Sequence, residues 1–229
     1  MYESANRAAP LAQSRQLCAY RSVMLLLAIV GTVSVARGSW IQLKASLAQR
    51  LISSAWAREQ AGEHAAKPWA WADTHPVAKL TLGSRGYQIV ALEGSSGRNL
   101  AFGPVHDPSS VLPGAVGNSV IEGHRDTHFS ALRHLQVGDP IQIELPSGGQ
   151  LAFAVTNLQI VDSRRWRIAL DGDSPGLTLV TCYPFDAIRA GGPLRYVVSA
   201  GLNDHPRQIH APVTVEVSRN VRRAHAASL

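Results

Sequence analysis

The sequence has very little cysteine, with only two thiols, Cys18 and Cys182, in 229 residues. An apolar segment that begins at Val23 separates them, and a membrane helix there would place the two thiols in different compartments. That arrangement excludes a native disulfide between them and leaves Cys182 as a free thiol. A lone cysteine is commonly no more than a small buried apolar side chain. A free thiol in an oxidising space is a liability unless it is used, however, and this favours a function for Cys182.

The sequence also lacks internal repeats, low-complexity tracts and any basic stripe interleaved with aromatic side chains. Its formal net charge of +6 is carried largely by scattered arginines and a basic carboxyl-terminal tail. Such a balance suits nucleic acid or anionic lipid. No nucleic-acid-reading motif accompanies it, so we expect no nucleic-acid partner. The length predicts one domain with appendages, and hydrophobic residues make up 45% of the chain, which is sufficient for a core.

Charged side chains are absent from Ser22–Ala36, a stretch shorter than the roughly 20 residues that a spanning helix requires. Two interpretations of this stretch remain open. The small residues of Ser34–Ala36 suit a signal-peptidase site, whereas an uncleaved anchor requires Arg37 to extend its charged end towards the interface. We favour the uncleaved anchor over residues 23–43, preceded by a segment 1–22 whose basic residues keep the amino terminus in the cytoplasm.

An amphipathic helix is predicted next, because apolar residues recur at intervals of three and four. These residues are Trp40, Leu43, Leu47, Leu51 and Ala55. The helix should end at Gly62, and the prolines and tryptophans that follow it make an irregular linker. Residues 44–75 are therefore predicted to be a stalk that packs one face on the domain or on the bilayer.

From residue 76 to residue 202, short apolar runs alternate with Gly, Pro, Asn and Ser turns. Evenly spaced short strands predict a mostly β fold, a closed or partly open antiparallel β-barrel with short helices, or else a sandwich. The runs are Val77–Leu82, Tyr87–Leu92, Ser119–Glu122, Pro140–Leu145, Leu151–Val161, Leu177–Cys182 and Pro193–Ala200. Gly148–Gly149 predicts a hairpin, and the helical candidates are Asn99–Phe102 and His128–Leu135. Residues 203–229 form a basic carboxyl-terminal extension without an assigned role.

Three chemically useful side chains occur at the ends of predicted strands. Cys182 closes the strand-forming run Thr178–Thr181, and Pro184 prevents that strand from continuing as a paired one. His124 follows another apolar run, and Arg195 lies at the start of the last clear strand. A thiol is a good nucleophile once ionised, a histidine can protonate a leaving amine, and an arginine can hold a developing oxyanion. Together these residue types suit acyl transfer.

The three segments, in the order His, Cys, Arg, resemble the signatures of the sortase family of cysteine transpeptidases. The resemblance covers about residues 69–200 and implies a sortase-like barrel. Within the family, the segments Cys182–Asp186 and His124–Phe129 are most similar to the Gram-negative (GN) class. The resemblance implies that no cofactor is needed.

The resemblance also implies a division of work, in which Cys182 is the nucleophile, His124 the acid and base, and Arg195 the group that holds the substrate carbonyl and the oxyanion. The implied partners are a substrate protein with a carboxyl-terminal sorting signal of the Leu-Pro-x-Thr-Gly type and an amine acceptor. Sortases are commonly tethered by an amino-terminal helix. We therefore expect a single-pass protein of the inner (cytoplasmic) membrane, with its amino terminus in the cytoplasm and its catalytic domain facing the periplasm or exterior.

Two alternatives to a transpeptidase come from other functional classes. A cysteine endopeptidase or hydrolase would use the same His124, Cys182 and Arg195 with water as the acceptor. An anchored binding module would use none of them for catalysis. Covalent capture of a substrate at Cys182 distinguishes the last alternative from the other two.

Four further residues are candidates for contacts in the site. His128 lies four residues after His124, a spacing that binds zinc on a helix, but no third ligand is evident and we expect no metal. His128 is then a hydrogen-bonded wall of the site. Asp126 either orients His124 or pairs with the neighbouring arginine in an exposed loop. His106 is expected to be structural with a secondary role in the site, and Thr181 to contact the substrate.

Overall fold

The computed structural model describes residues 8–94, 96–189 and 191–203. The described chain begins with one long helix, α1 (Ala8–Gln60), and continues as eight strands with two short helical segments. The strands are β1 (Pro76–Leu82), β2 (Tyr87–Glu93), β3 (Val105–His106), β4 (Gly117–Gly123), β5 (Pro140–Glu144), β6 (Gln150–Asp162), β7 (Pro175–Cys182) and β8 (Leu194–Leu202). The helical segments are α2 (Gly97–Leu100) and a 3-10 helix (Ser130–His134). The predicted basic extension, apart from residue 203, lies outside the described residues.

The eight strands form a closed barrel in the order β1-β2-β3-β4-β7-β8-β6-β5, and β5 pairs with β1 to close it. The predicted β-barrel is therefore confirmed, and the expected hairpin joins β5 to β6. Two of the strand pairs, β2 with β3 and β4 with β7, are parallel. A parallel pair needs a long crossover, and β5 and β6 supply it between β4 and β7. Strand β3 was not predicted, because its two residues show no periodicity.

Alternation along the strands separates an inner face from an outer face. Ile121 of β4 and Leu179 of β7 are fully buried in the barrel core, whereas their neighbours Val120 and Val180 belong to an outer apolar cluster. Each fully buried aliphatic side chain stabilises the fold by about 1.5 to 3 kcal/mol. A register slip of one residue would reverse the two faces. The core thereby fixes which face each residue at a strand end occupies.

Helix α1 runs without interruption through the predicted anchor and the predicted stalk, and it ends at Gln60, two residues before Gly62 with its φ of +97°. Among the α1 side chains that the structure describes, the buried ones lie in the last part of the helix. Its buried residues are Ala48, Ile52, Ala55, Trp56 and Glu59. Ile52 contacts Leu92 of β2 and Val105 of β3. The end of α1 is therefore part of the outer layer of the barrel domain.

The first part of α1 makes a different surface. Of the predicted apolar stripe, Trp40, Leu43 and Leu47 are all more than half exposed, and Ala48 is the first buried side chain of α1 among those that the structure describes. Within the described residues, one helical segment, Tyr20–Gln60, is long and apolar enough to cross a membrane. A signal sequence near the amino terminus satisfies the same criteria, so both interpretations of the apolar stretch still apply.

Candidate active site

Three neighbouring strand ends meet at one rim of the barrel. Strands β4 and β7 are parallel, and their last pair is Gly123 opposite Thr181. His124 follows the end of β4, and Cys182 is the last residue of β7, so both lie at the same edge of the sheet. Strands β7 and β8 are antiparallel, and Cys182 lies opposite Arg195. His124, Cys182 and Arg195 therefore form one row along this rim, with Cys182 and Arg195 paired on β7 and β8 and His124 just beyond the end of β4.

This row lies on the outer face of the barrel. Val180 and Val197 belong to the outer apolar cluster, and Cys182 and Arg195 lie two residues from them on the same strands. Cys182 and Arg195 are half-buried, and His124 is exposed. The Cys182 thiol is free. A thiol, an imidazole and a guanidinium are thus presented at the same open surface.

The Arg195 guanidinium is held in place by the loop that precedes β8. Its Nη1 donates to the carbonyl oxygens of Gly192, at 2.8 Å, and Leu194, at 2.9 Å. Among the residues that the structure describes, its Nε and Nη2 have no hydrogen-bond partner. These two groups are the donors that a guanidinium uses in bidentate contacts with oxygen. Arg195 therefore has donors available for the carbonyl oxygen of a ligand.

His124 lies in a turn rather than on a strand, and side chains hold that turn. The Thr181 hydroxyl donates to the carbonyl oxygen of Gly123 at 2.7 Å. The backbone N–H of Phe129 donates to the carbonyl oxygen of His124 at 2.9 Å, and the Phe129 ring is fully buried. A methyl group at Gly123 would lie 2.7 Å from that ring, so the close approach requires glycine. The position of His124 depends on these contacts.

Arg125, the residue after His124, links the turn to the loop between β7 and β8. Its side chain is only 4% exposed. The guanidinium donates to the carbonyl oxygens of Pro184 and Ala187, both at 2.8 Å, and of Arg189 at 3.0 Å. One buried cation thus joins the segment that carries His124 to the segment that follows Cys182. The sequence did not reveal this contact, because its acceptors are backbone carbonyl oxygens, which every residue type carries.

The remaining predicted site residues occupy different depths. Asp126 is 65% exposed and accepts a hydrogen bond from Arg125 Nε at 3.2 Å, as one of the two interpretations expected. His106 is buried, with Nδ1 2.9 Å from a Glu93 carboxylate oxygen. Thr181 is buried too and faces the core side of β7. His106 and Thr181 therefore lie beneath the outer surface that carries the row.

His128 lines a groove between α1 and the barrel, together with His124 and Thr127. The groove has a volume of about 1120 Å³. Burial lowers the pKa of His128, and the proximity of His124 lowers it further, so His128 is held in its neutral form. Its Nδ1 is buried and, in the described part of the chain, has no hydrogen-bond partner. His128 therefore lies in the groove beside His124, and the hydrogen bond expected for it is not present at this nitrogen.

Other features of the described residues lie outside this arrangement. A hollow of about 520 Å³ near Trp69 contains none of the predicted site residues. No group of three His, Cys, Asp or Glu side chains suited to a metal ion occurs within residues 8–94, 96–189 and 191–203.

Glu122 lies on β4 opposite Val180, on the outer face next to the row. Burial raises the pKa of its carboxyl group, and the Asp107 carboxylate raises it further, while Arg195 acts in the opposite direction. Glu122 and Arg195 are therefore close enough to interact electrostatically. A single glutamate in a strand carries no motif, which is why the sequence did not indicate it.

Comparisons with known proteins point to one family. The family model described as "Sortase domain" matches residues 80–203. Sortase D of Bacillus subtilis (strain 168) is 32% identical over 112 residues, which cover 48% of this chain and 56% of that protein, so the match spans little more than half of the relative. Sortase A from Corynebacterium diphtheriae superposes with a TM-score of 0.53 at 26% identity, covering 60% of this chain and 65% of that one.

A second solved structure extends the likeness of fold. Clostridium perfringens sortase C, crystallised with the C-terminal cell wall sorting motif, superposes with a TM-score of 0.52. It is 19% identical, and the superposition covers 71% of this chain and 90% of that one. At this level of identity the likeness concerns the architecture of the barrel.

Proposed function

We propose that this chain, which belongs to the sortase family, is a cysteine transpeptidase that cleaves a sorting signal of the Leu-Pro-x-Thr-Gly type and transfers the acyl group to an amine. The observation that carries the proposal is the row of His124, Cys182 and Arg195 at the ends of three adjacent strands. A thiol, an acid and base, and a fixed cation at one open surface are the groups that acyl transfer requires. All three lie within the part of the chain that matches the sortase domain.

In the first step, the Cys182 thiolate attacks the carbonyl carbon of the threonine in the signal, and the carbonyl oxygen becomes an oxyanion. Arg195 donates to that oxyanion from the groups left free by its loop contacts. His124 gives its proton to the departing amine. The carbon–nitrogen bond breaks, the amine-bearing fragment leaves, and the acyl group remains on Cys182 as a thioester.

In the second step, a neutral primary amine attacks the thioester carbon. His124, now without its proton, accepts a proton from the attacking nitrogen. The carbon–sulfur bond breaks, the Cys182 thiolate is restored, and a new amide bond is formed. Water in place of the amine would give hydrolysis by the same route, and membership of a transpeptidase family favours the amine.

Within the family we place the chain in the Gram-negative class. The support is the pair of segments His124–Phe129 and Cys182–Asp186. In the structure these two segments are the ones that Arg125 joins.

We further propose a single-pass protein of the inner membrane, with its amino terminus in the cytoplasm and its catalytic domain facing the periplasm or exterior. The large apolar side chains from Val23 to Val35 are 47% to 70% exposed, so they require an apolar environment outside the barrel. The proposed organisation comprises a cytoplasmic segment, an anchor, a stalk and linker, the catalytic barrel and a basic extension. These are residues 1–22, 23–43, 44–75, 76–202 and 203–229.

The test is covalent capture with the full-length chain in detergent micelles. Incubation with a peptide that contains a Leu-Pro-x-Thr-Gly signal should add the mass of the peptide's amino-terminal part to Cys182, as measured by intact-protein mass spectrometry. The Cys182→Ala variant should show no addition. An added primary amine should then appear in the released product, which separates a transpeptidase from a hydrolase. Absence of any adduct with a set of signal peptides, while an alkylating reagent still labels Cys182, would refute the proposal.

A further inference from the structure

We infer that Glu122 selects the variable residue x of the Leu-Pro-x-Thr-Gly signal, and that the preferred residue is basic. This inference rests on the proposed function, because it names the class of signal that the same site accepts. Glu122 lies on β4, two residues before His124, and its side chain is half-buried on the outer face of the barrel. It therefore belongs to the surface layer directly beside the row of His124, Cys182 and Arg195.

The strand register fixes where Glu122 lies relative to the thiol. Glu122 is opposite Val180 on β7, and Val180 is two residues before Cys182 on the same face. Adjacent strands are about 4.8 Å apart and two residues along a strand span about 6.7 Å, so the Cα atoms of Glu122 and Cys182 are about 8 Å apart. A long basic side chain of a peptide bound at Cys182 spans that distance.

The geometry of the first step directs the acyl part of the signal towards Glu122. The carbonyl carbon of the signal threonine makes four bonds in the tetrahedral intermediate. One bond is to the sulfur of Cys182, while the oxygen points to Arg195 and the leaving nitrogen to His124, on opposite sides of the thiol along the row. The fourth bond, to the threonine α-carbon, therefore leaves across the row and over the outer face. The variable residue, which precedes the threonine, then lies beside Glu122.

Protein already covers the outer face beyond Glu122. Val120, Val180 and Val197 form an apolar cluster that packs against Trp166 and its neighbours in the segment between β6 and β7. A bound signal therefore passes between this covered cluster and the row, which is where Glu122 lies. The leucine and proline of the signal are apolar and the threonine carries the reacting carbonyl, so only the variable residue can supply a charged partner.

The charges around Glu122 favour a cation. In the described part of the chain, the Asp107 carboxylate and the Arg195 guanidinium are the charged groups that act on Glu122. Arg195 gives its free donors to the oxyanion in the proposed reaction, so the remaining charges at this position are both negative. A bound peptide removes water from Glu122, and an unpaired carboxylate away from water is costly. A basic side chain in the signal removes that cost, an uncharged one does not, and an acidic one increases it.

Three signal peptides test the inference, with arginine, glutamine or glutamate at the variable position. Arginine is used instead of lysine because it adds no primary amine that would act as an acceptor. In the full-length chain in detergent micelles, kcat/KM for thioester formation should be at least about tenfold higher with arginine than with glutamine, and lowest with glutamate. Glu122→Gln should reduce the arginine preference to less than about twofold, and Glu122→Arg should reverse the order so that glutamate is preferred.

The comparison among peptides separates specificity from stability, because a partly unfolded variant loses rate equally with all three peptides. Asp126→Asn is the matched control. The Asp126 side chain lies two residues after His124 and is 65% exposed, so its removal should keep the arginine preference within about twofold of the wild type. An equal loss of the preference in Asp126→Asn and Glu122→Gln would overturn the inference, because net charge near His124 would then be the cause. Equal kcat/KM for the arginine and glutamine peptides in the wild-type chain would overturn it as well.

A binding measurement keeps this inference separate from the proposed function. In the Cys182→Ala chain, calorimetric titration should give a Kd for the arginine peptide at least about tenfold below that for the glutamine peptide, and Glu122→Gln in the same chain should make the two equal. If the wild type forms no thioester but the Cys182→Ala chain shows this preference, the proposed function fails and the assignment of Glu122 holds. Thioester formation that does not depend on the charge of the variable residue would mean the reverse.

Discussion

Two of the three proposed catalytic residues, Cys182 and Arg195, lie on strands, whereas His124 lies in a turn. Different interactions hold the strands and the turn in place. Cys182 and Arg195 are neighbours in the ladder between β7 and β8, where backbone hydrogen bonds fix their separation. His124 lies beyond the last paired residue of β4. Its turn is held by a hydroxyl from Thr181 and by the buried guanidinium of Arg125.

This difference predicts how each half of the site responds to mutation. A ladder of backbone hydrogen bonds survives most side-chain substitutions, because the bonds do not involve side chains. A turn held by a few side chains depends on each of them. On the strand side, a substitution should change the chemistry and leave the geometry intact. On the turn side, a substitution away from the reacting atoms should change both stability and rate.

The largest effect is expected for Arg195→Lys, on the strand side. A lysine keeps the charge but cannot reproduce the planar fork of donors. Loss of one oxyanion donor typically costs about 3 to 4 kcal/mol, or two to three decades in rate. Thioester formation, followed by mass spectrometry, should fall by that amount while the melting temperature stays near that of the wild type. An acylation rate close to wild type would show that Arg195 only packs at the rim.

The next effect is expected for Arg125→Ala, on the turn side. Removal of the buried cation takes a donor from the carbonyls of Pro184, Ala187 and Arg189, and Pro184 keeps the Ala187 N–H at 3.4 Å. Hydrogen bonds to charged groups contribute about 1.5 to 3 kcal/mol each, and shared burial makes them less than additive, so a total loss of about 3 kcal/mol is expected. Urea unfolding measures this loss.

The matched control for that variant is Arg189→Ala. The Arg189 side chain is exposed in the same loop, and its removal should change stability by less than about 0.5 kcal/mol. Arg125→Ala should also slow acylation, because the loop after Cys182 and the turn of His124 lose their common support. Equal stability of the two variants would show that the turn does not depend on this cation.

The same comparison explains how much of the molecule could be predicted from the sequence. Strands show a period of two, and the predicted runs agree with most of the observed strands. His124, Cys182 and Arg195 were recognisable because their residue types suit one chemistry. The parallel pairing of β4 with β7 was not predictable, because it depends on where a long crossover returns. Arg125 was missed because its acceptors are backbone carbonyls 59 to 64 residues away.

Helix α1 shows a related limit of sequence reasoning. The apolar period of three and four correctly predicted a helix that ends just before Gly62. It did not predict which turn first becomes buried, and among the described side chains of α1 that is the turn of Ala48. An amphipathic pattern reports which side chains prefer burial, whereas the partner that buries them is set by the tertiary fold. The groove beside α1 was for this reason not foreseen.

A smaller effect is expected for Thr181→Val, which removes the hydroxyl bonded to Gly123 and keeps the shape of the side chain. A typical hydrogen bond contributes about 1 kcal/mol, and the buried acceptor is left without that partner. Thr156→Val is the control, since the Thr156 hydroxyl makes a similar but exposed bond to Ser199 at 3.1 Å. Thr181→Val should be the more destabilising of the two in urea unfolding. The reverse order would mean that the turn is held without this bond.

The smallest effect concerns pH and involves His128 on the turn side. Burial and the nearby His124 lower the pKa of His128 in the folded protein. Between that lowered pKa and the ordinary value of about 6.5, the unfolded chain binds a proton at His128 that the folded chain does not. The free energy of unfolding should therefore fall as the pH drops through this window and level off below the lowered pKa. His128→Gln should remove this part of the slope, measured as melting temperature against pH, whereas His134→Gln, at an exposed histidine, should keep it. If His128→Gln and the wild type lose stability in parallel on acidification, His128 is more hydrated than the structure shows. The turn side would then be less tightly packed than its comparison with the strand side requires.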